Sequence, residues 1–357
     1  MSIALPILVR PDPAALPPPR APAAARPPGR LVDAHGRVIR DVRLSVTDRC
    51  NFRCVYCMDP GFRYMPKQQL LTLAEYLAVA RACRNLGLVK LRITGGEPTL
   101  YPQIDELIAE VGRMGFDDVA MTTNGSLLDR KPLARWRRNG LRRLTMSLDS
   151  LQADRVRAIT RSDTTPQTVI EAIALARAAG FELIKVNAVV VRGFNDDEVA
   201  DFADFARDHA IDFRLIEFMP LDSGRGWNRD AVVPATEMVR RIAEVHELVP
   251  LDRDDPTSTS LNFAFADGAP GRIGIIAPVT RPFCGACSRL RITADGKVRP
   301  CLFSHEEWDL RALLRGGADE EAVVQFIADA MWTKQSGHGI GSKGFTQPAR
   351  TMSAIGG

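Results

Sequence analysis

VRLSVTDRCNFRCVYC, residues 42–57, carries two patterns in one stretch. Residues 42–48 alternate apolar and polar side chains and include β-branched Val and Thr, which is the pattern of a half-buried strand. Directly behind that strand come Cys50, Cys54 and Cys57, spaced C-x3-C-x2-C. Chemistry delivered at the C-terminal end of a strand is characteristic of parallel α/β sheets and barrels, whose ligand sites form at those ends.

Reading outward, the strand is the first of a series. LTLAEYLAVARACRNLG (71–87) has helical periodicity, with Thr72 and Glu75 at capping-box spacing and Gly87 at its end. KLRITGGEP (90–98) is a second strand and its turn. Helix 103–114, strand 118–125, helix 129–139, strand 143–150, helices 152–160 and 166–179, strand 183–191, helix 196–209, strand 212–220 and helix 234–246 follow. Thr165-Pro166 reads as an N-cap and first helical residue.

Short apolar strands alternating with helices give a parallel sheet, either doubly wound and open or curved into a barrel. The ends of the six strands decide for the barrel. TDRC, TGGEP, TTNG, SLDS, KVN and EFM are polar or glycine-rich, and in a barrel they converge on one mouth. The expectation is an incomplete (β/α)6 TIM-type barrel over residues 31–250. An α+β extension over 251–357, with strands at 272–277 and 289–294 and a helix near 319–331, is expected to cover the open side.

The 357 residues are 45% hydrophobic and 25% charged, as in a soluble globular protein. A net charge of +4 permits an anionic ligand without implying a nucleic-acid surface. No apolar run approaches the roughly 18 residues of a membrane-spanning helix. Residues 1–30 are Pro- and Ala-rich and read as a disordered extension. They lack the apolar core of a secretory signal, and their prolines work against the amphipathic helix of a transit peptide. The seven cysteines are an odd count, and six of them lie in two sets of three. That argues against a disulfide framework and for metal ligation in a reducing, cytoplasmic compartment.

The second set lies in FCGACSRLRITADGKVRPC, where Cys284, Cys287 and Cys301 are spaced C-x2-C-x13-C. Each set offers three thiolates. One reading is structural zinc with a fourth ligand elsewhere, such as His305 for the second set. The other is a four-iron cluster held through three of its irons, with the fourth open to a small molecule. The spacing of the first set, with aromatic Tyr56 before its last cysteine, is unusual for zinc.

C-x3-C-x-aromatic-C after a first strand, followed one β–α unit later by Gly95-Gly96-Glu97-Pro98, resembles the radical S-adenosylmethionine (SAM) superfamily. The second set, with TTNG, SLDS, KVN, LIEFMP and a terminal Gly356-Gly357, extends the resemblance from about residue 30 to the chain end. It narrows it to the molybdenum cofactor biosynthesis protein A family, the GTP 3′,8-cyclases.

That resemblance implies two [4Fe-4S] clusters, on Cys50, Cys54 and Cys57 and on Cys284, Cys287 and Cys301. It implies SAM contacts at Tyr56, Gly96, Ser147 and Met219, with Glu97 in the motif that holds the SAM amino group. It implies GTP contacts at Arg43, Arg92, Thr123, Lys185, Arg289, Leu290 and Arg291, and a Gly356-Gly357 tail that reaches the active-site cavity. It further implies a cyclic pyranopterin monophosphate synthase downstream, a flavodoxin-like or chemical reductant, and a homodimer without membrane or nucleic-acid partners.

The residues add reasons of their own. Arg43 and Arg92 sit inside otherwise apolar strands, where an unpaired charge is costly. Arg289 and Arg291 share one strand face. Asn187 is a further mouth-facing candidate, Cys83 reads as a buried structural thiol, and ARWRRNGLRR (134–143) as a solvated helix face. The rival readings are a peptide-modifying maturase of the same superfamily and a zinc-stabilised module that binds nucleotides or nucleic acid.

Overall fold

The computed structural model describes residues 17–59, 61–222, 224–253 and 255–356. A short hairpin, β1 (Leu31–Val32) and β2 (Val38–Ile39), precedes six β–α repeats. These are β3 (Asp41–Ser45) with α1 (Leu73–Asn85), β4 (Lys90–Thr94) with α2 (Ile104–Arg113), and β5 (Asp118–Thr123) with α3 (Arg130–Arg138). Then come β6 (Leu141–Ser147) with α4 (Ala153–Thr160) and α5 (Pro166–Ala178), β7 (Leu183–Val190) with α6 (Val199–Asp208), and β8 (Asp212–Glu217) with α7 (Ala235–Ala243). The remainder carries β9 (Leu248–Leu251), β10 (Ser260–Phe265), β11 (Arg272–Ile276), β12 (Arg289–Ile292), β13 (Lys297–Arg299), β14 (Trp308–Asp309), α8 (Leu310–Arg315), α9 (Glu320–Trp332) and α10 (Met352–Ile355).

Local chemistry explains the boundaries. Thr72 and Glu75 form the capping box read from the sequence, each side chain satisfying the other's backbone N–H. Thr165 precedes Pro166 at the first helical position as expected, but its hydroxyl makes no capping bond. Glycine occupies the left-handed position at Gly87, where any side chain would collide with the Gly29 carbonyl of the crossing N-terminal segment.

All six barrel strands pair in parallel in chain order. The C-terminal extension flanks the open side by continuing the barrel sheet itself. It adds a strand to each edge, β12 parallel to β3 and β11 parallel to β8, and continues into β13 and β14 on one side and β10 and β9 on the other. The result is a 12-stranded sheet whose terminal strands are not paired with each other. One continuous apolar core lies between the strands and their helices.

The disordered extension expected over residues 1–30 differs from what is seen, except for residues 1–16, which lie outside the described residues. From residue 17 onward the segment follows α9. The Ala21 N–H donates to Asp329 Oδ1 at 2.8 Å, Arg26 pairs with Glu321 at 2.6 Å, and Ala21 and Ala25 are buried. Small apolar side chains let an irregular, proline-bearing chain lie close against a helix.

Candidate active site

The loop after β3 carries the first cysteine set. The Cys57 and Met58 N–H groups both return to the Cys54 carbonyl, and the Cys50 carbonyl accepts from Tyr64 Oη at 2.7 Å and Arg53 Nη1 at 2.8 Å. The GGEP turn after β4 braces this loop. Gly96 N–H donates to the Thr47 carbonyl and Glu97 N–H to the Arg49 carbonyl, both at 2.7 Å. A Cβ on Gly95 would come within 2.7 Å of the Thr47 oxygen, and one on Gly96 would collide with the Arg49 carbonyl. These glycines therefore permit close approach to the neighbouring loop's own backbone as well as to any ligand.

The second set sits at the start of β12 and just past β13. Arg37 donates to the Cys284 carbonyl at 2.9 Å, and Arg299 donates to the Ser304 carbonyl at 2.6 Å, which fixes the loop after Cys301. All six cysteines are free and half-buried, and all six line a single cavity of about 310 Å³ at the C-terminal mouth of the barrel strands. Among the described residues, no three His, Cys, Asp or Glu side chains converge closely enough to hold one metal ion. Three thiols opening separately onto a shared hollow fit a polynuclear cluster, whose irons each take one thiolate, better than tetrahedral zinc. His305 does not line the cavity and bonds instead with the Thr346 hydroxyl, so it is no fourth ligand to the second set.

The same cavity gathers most of the other residues singled out in the sequence: Tyr56, Gly96, Ser147, Met219, Asn187, Arg43, Arg92, Thr123, Arg289 and Arg291. Tyr56 Oη donates to Asp149 Oδ2 at 2.5 Å, and the Val189 N–H donates to Asp149 Oδ1 at 2.8 Å. Burial lifts the Asp149 carboxyl to about 6 despite those donors. Ser147 and Asn187 face each other across β6 and β7, and the buried Asn187 Oδ1 has no protein donor. Thr123 is committed to the protein. Its hydroxyl donates to Glu97 Oε1 at 2.7 Å, and Glu97 also accepts from Thr99 and from the Asn124 N–H. Glu97 thus ties the turn after β4 to the turn after β5, and its burial raises the carboxyl.

Three arginines form a row. Arg291 on β12 lies beside Arg43 on β3, and Arg43 beside Arg92 on β4. Arg92 donates to the Thr122 and Thr145 hydroxyls, each at 3.1 Å. Burial and then the neighbouring guanidiniums hold all three below the ordinary arginine range, Arg92 to about 10 and Arg291 to about 9. Clustered, desolvated cations of this kind are a site for a multiply charged anion.

Two residues fall outside the cysteine-lined cavity. Leu290 points to the opposite face from Arg289 and Arg291 and is fully buried in the apolar core. Lys185 lines an adjoining chamber of about 320 Å³ at the N-terminal end of the strands, 3.3 Å from Asp212. That chamber shares Arg43, Arg92, Arg214 and Arg289 with the first, so the two spaces are continuous along the barrel interior. Arg214 was not singled out in the sequence; it is half-buried and lines both spaces.

The electrostatics of the two cysteine sets differ. Burial, joined by Cys57 and Asp149 for Cys54 and by Cys50 and Asp149 for Cys57, pushes these thiols up, Cys57 to about 12. Burial works the same way on Cys287, but Arg289 and Lys334 outweigh it and bring the thiol down to about 6. Arg289 Nη2 lies 3.3 Å from Cys287 Sγ.

The chain's end enters this space. Arg350 forks onto Asp295 and Glu307, the buried Ile355 packs with Leu221 and Phe303, and the Gly356 carbonyl accepts from Arg291 Nη1 at 2.9 Å. Gly357 lies outside the described residues. Cys83 is buried in the core, as expected of a structural thiol. In the basic stretch 134–143, Arg135 pairs with Asp105 and Arg143 with Asp118, so much of its charge is already partnered.

A partial barrel with a three-cysteine loop after its first strand and a GGEP turn after its second defines a radical SAM protein. Residues 44–206 match the model of the radical SAM superfamily, and residues 211–340 match that of molybdenum cofactor synthesis C. The crystal structure of Streptococcus suis SuiB bound to S-adenosylmethionine shares the fold, with a TM-score of 0.58 at 15% identity over 75% of this chain and 62% of that one. Among curated relatives, a GTP 3′,8-cyclase of Streptomyces coelicolor is 42% identical over 92% of this chain and 96% of its own length. One from Mycolicibacterium smegmatis is 41% identical over 92% of each chain. The chain belongs to the GTP 3′,8-cyclase family.

Proposed function

We infer that the chain converts GTP to (8S)-3′,8-cyclo-7,8-dihydroguanosine 5′-triphosphate, the first step of molybdenum cofactor biosynthesis. The observation that carries this reading is the meeting of two open three-cysteine sets and a row of inward-facing, largely desolvated arginines in one cavity. A cofactor pair alone needs no such row; a nucleoside triphosphate does.

Cys50, Cys54 and Cys57 hold one four-iron cluster and Cys284, Cys287 and Cys301 the other. With SAM bound, the first cluster would supply the chemistry that removes a hydrogen atom from C3′ of GTP; closure of the C3′–C8 bond would then take up one electron from the reductant and one proton to give the 7,8-dihydro product. The rest is the protein's work. Ser147, Asn187, Met219 and the backbone around Tyr56 and Gly96 bound the SAM side of the cavity. Arg43, Arg92, Arg291 and, deeper in, Lys185 receive the triphosphate, which aims the base at the second cysteine set and the ribose at the first. Holding both substrates in one orientation converts an encounter into an effectively intramolecular reaction. The walls exclude water, and the Gly356 carbonyl on Arg291 places the tail at the edge of the reacting space.

Around this core the finer reading is a homodimer in the cytoplasm that draws electrons from a flavodoxin-like donor and hands its product to a cyclic pyranopterin monophosphate synthase. Residues 31–250 act as the SAM-binding barrel and 251–357 as the substrate-side extension. Free half-buried thiols support a reducing compartment. Among the described residues no helix is long and apolar enough to cross a membrane.

GTP carrying deuterium at C3′ tests the reaction. Anaerobic turnover with SAM and reductant is expected to move the label into 5′-deoxyadenosine. Label retained in the nucleotide while SAM is cleaved removes this assignment and favours a maturase-like substrate.

A further inference from the structure

We propose that Lys334 is the built-in countercharge of the second cluster, a positioning residue that raises that cluster's reduction potential and holds its loops together. The proposal rests on the reading of Cys284, Cys287 and Cys301 as cluster ligands.

Lys334 lies just beyond the C-terminus of α9 and is only 3% exposed. A buried ammonium normally has a carboxylate beside it. Among the described residues none pairs with this one. Its hydrogen bonds go to two backbone carbonyls, that of Arg289 at 2.9 Å and that of Pro300. Those carbonyls belong to the two chain segments that present Cys287 and Cys301, so one side chain bridges both. Lys334 also lines the cavity between the two cysteine sets. Its other charged neighbours are Arg289 and Arg37, both cations, and Arg37 is already neutralised by Asp33 at 2.6 Å.

The anion that balances Lys334 is therefore the cysteine set itself. The negative end of the α9 dipole adds to the balance. It does not replace a counterion for a group so thoroughly removed from water. Three thiolates on a four-iron core carry net negative charge, and a fixed cation beside them favours the reduced, more negative state. At the first set the cation is Arg53, which is only half-buried and donates to the Cys50 carbonyl at 2.8 Å, and the fully or nearly fully buried ionisable groups beside that set include the carboxyls of Asp149 and Glu97. Lys334 touches neither SAM nor GTP in this scheme and acts through the cluster and its loops.

The test uses the full-length chain with Cys50→Ala, Cys54→Ala and Cys57→Ala, reconstituted anaerobically so that only the second set carries iron. Iron per chain is counted, and the cluster's midpoint potential is read by EPR-monitored redox titration. Lys334→Met is expected to move the midpoint to more negative potential or, where the cluster no longer assembles, to lower the iron count. Lys334→Arg, which keeps the charge, is expected to stay near the Lys334 value on both readouts. A Lys334→Met protein with unchanged midpoint and iron content overturns the proposal. So does equal loss or equal shift in the Met and Arg variants, which would make the residue a matter of packing alone.

Discussion

The Arg291 guanidinium donates to the Gly356 carbonyl at 2.9 Å, so the end of the chain is tied to the arginine row inside the barrel. Gly356 has φ +89°, and a Cβ there would lie 2.7 Å from Ser45 Cβ and 2.9 Å from Thr94 Oγ1. A side chain meets both backbone strain and collision. Gly356→Val is expected to abolish cyclisation while iron content and SAM binding stay at wild-type levels. Anaerobic product analysis beside an iron assay checks this, and removal of Gly356-Gly357 should behave alike.

Arg43 sits between Arg291 and Arg92, and burial together with those neighbours holds its guanidinium below the ordinary arginine range. Replacing it by Met removes one desolvated charge, so the GTP-free protein should be as stable as the parent or more so. GTP affinity should fall roughly tenfold to a hundredfold, the equivalent of about 1.5–3 kcal/mol for a charge-assisted contact. Thermal unfolding and equilibrium GTP binding separate the two effects.

Lys185 is brought down to about 8 by burial and then by Arg214, against the pull of Asp212. Its protonated form is the one that attracts phosphate, and phosphate in turn raises its pKa. GTP affinity is therefore full below pH about 8 and falls as pH rises through the free-state value, by at most about tenfold per unit for one proton. Lys185→Arg keeps its charge throughout and should flatten that dependence. Binding measured from pH about 7 to about 9, roughly one unit either side of the shifted value, decides it.

Glu97 accepts from Thr99, the Thr123 hydroxyl and the Asn124 N–H while fully buried. Glu97→Gln puts an amide donor where only acceptors fit, which leaves a buried group unsatisfied at a cost of about 1–3 kcal/mol. Lowered thermal stability together with weakened SAM binding is expected, because the turn that braces the first cysteine loop is loosened.

Much of this was legible in the sequence because it is local. Strand–helix alternation, the capping box at Thr72 and the two cysteine sets are patterns within short windows. What escaped was non-local. β12 joins the edge at β3 and β11 the edge at β8, pairings between segments more than 50 residues apart that no periodicity encodes. Leu290 was grouped with its flanking arginines, although strand alternation turns it to the core. Thr123 lines the cavity, and its bond to Glu97 joins two turns that lie far apart in the sequence. Arg214 could have been found by the argument already applied to Arg43 and Arg92, a charge inside an apolar strand. Lys334 and Asp149 could not, because their meaning comes from burial that only the folded chain creates.

The central claim is that the two cysteine sets each leave one iron corner open and that different small molecules fill them within one cavity. EPR of the reduced, fully loaded protein, containing about eight irons per chain, tests it directly when SAM and GTP are added separately. SAM is expected to perturb only the cluster that is lost with Cys50→Ala, Cys54→Ala and Cys57→Ala. GTP is expected to perturb only the one lost with Cys284→Ala, Cys287→Ala and Cys301→Ala. Both ligands acting on the same cluster, or GTP leaving the second cluster's spectrum unchanged at saturating concentration, would contradict the account.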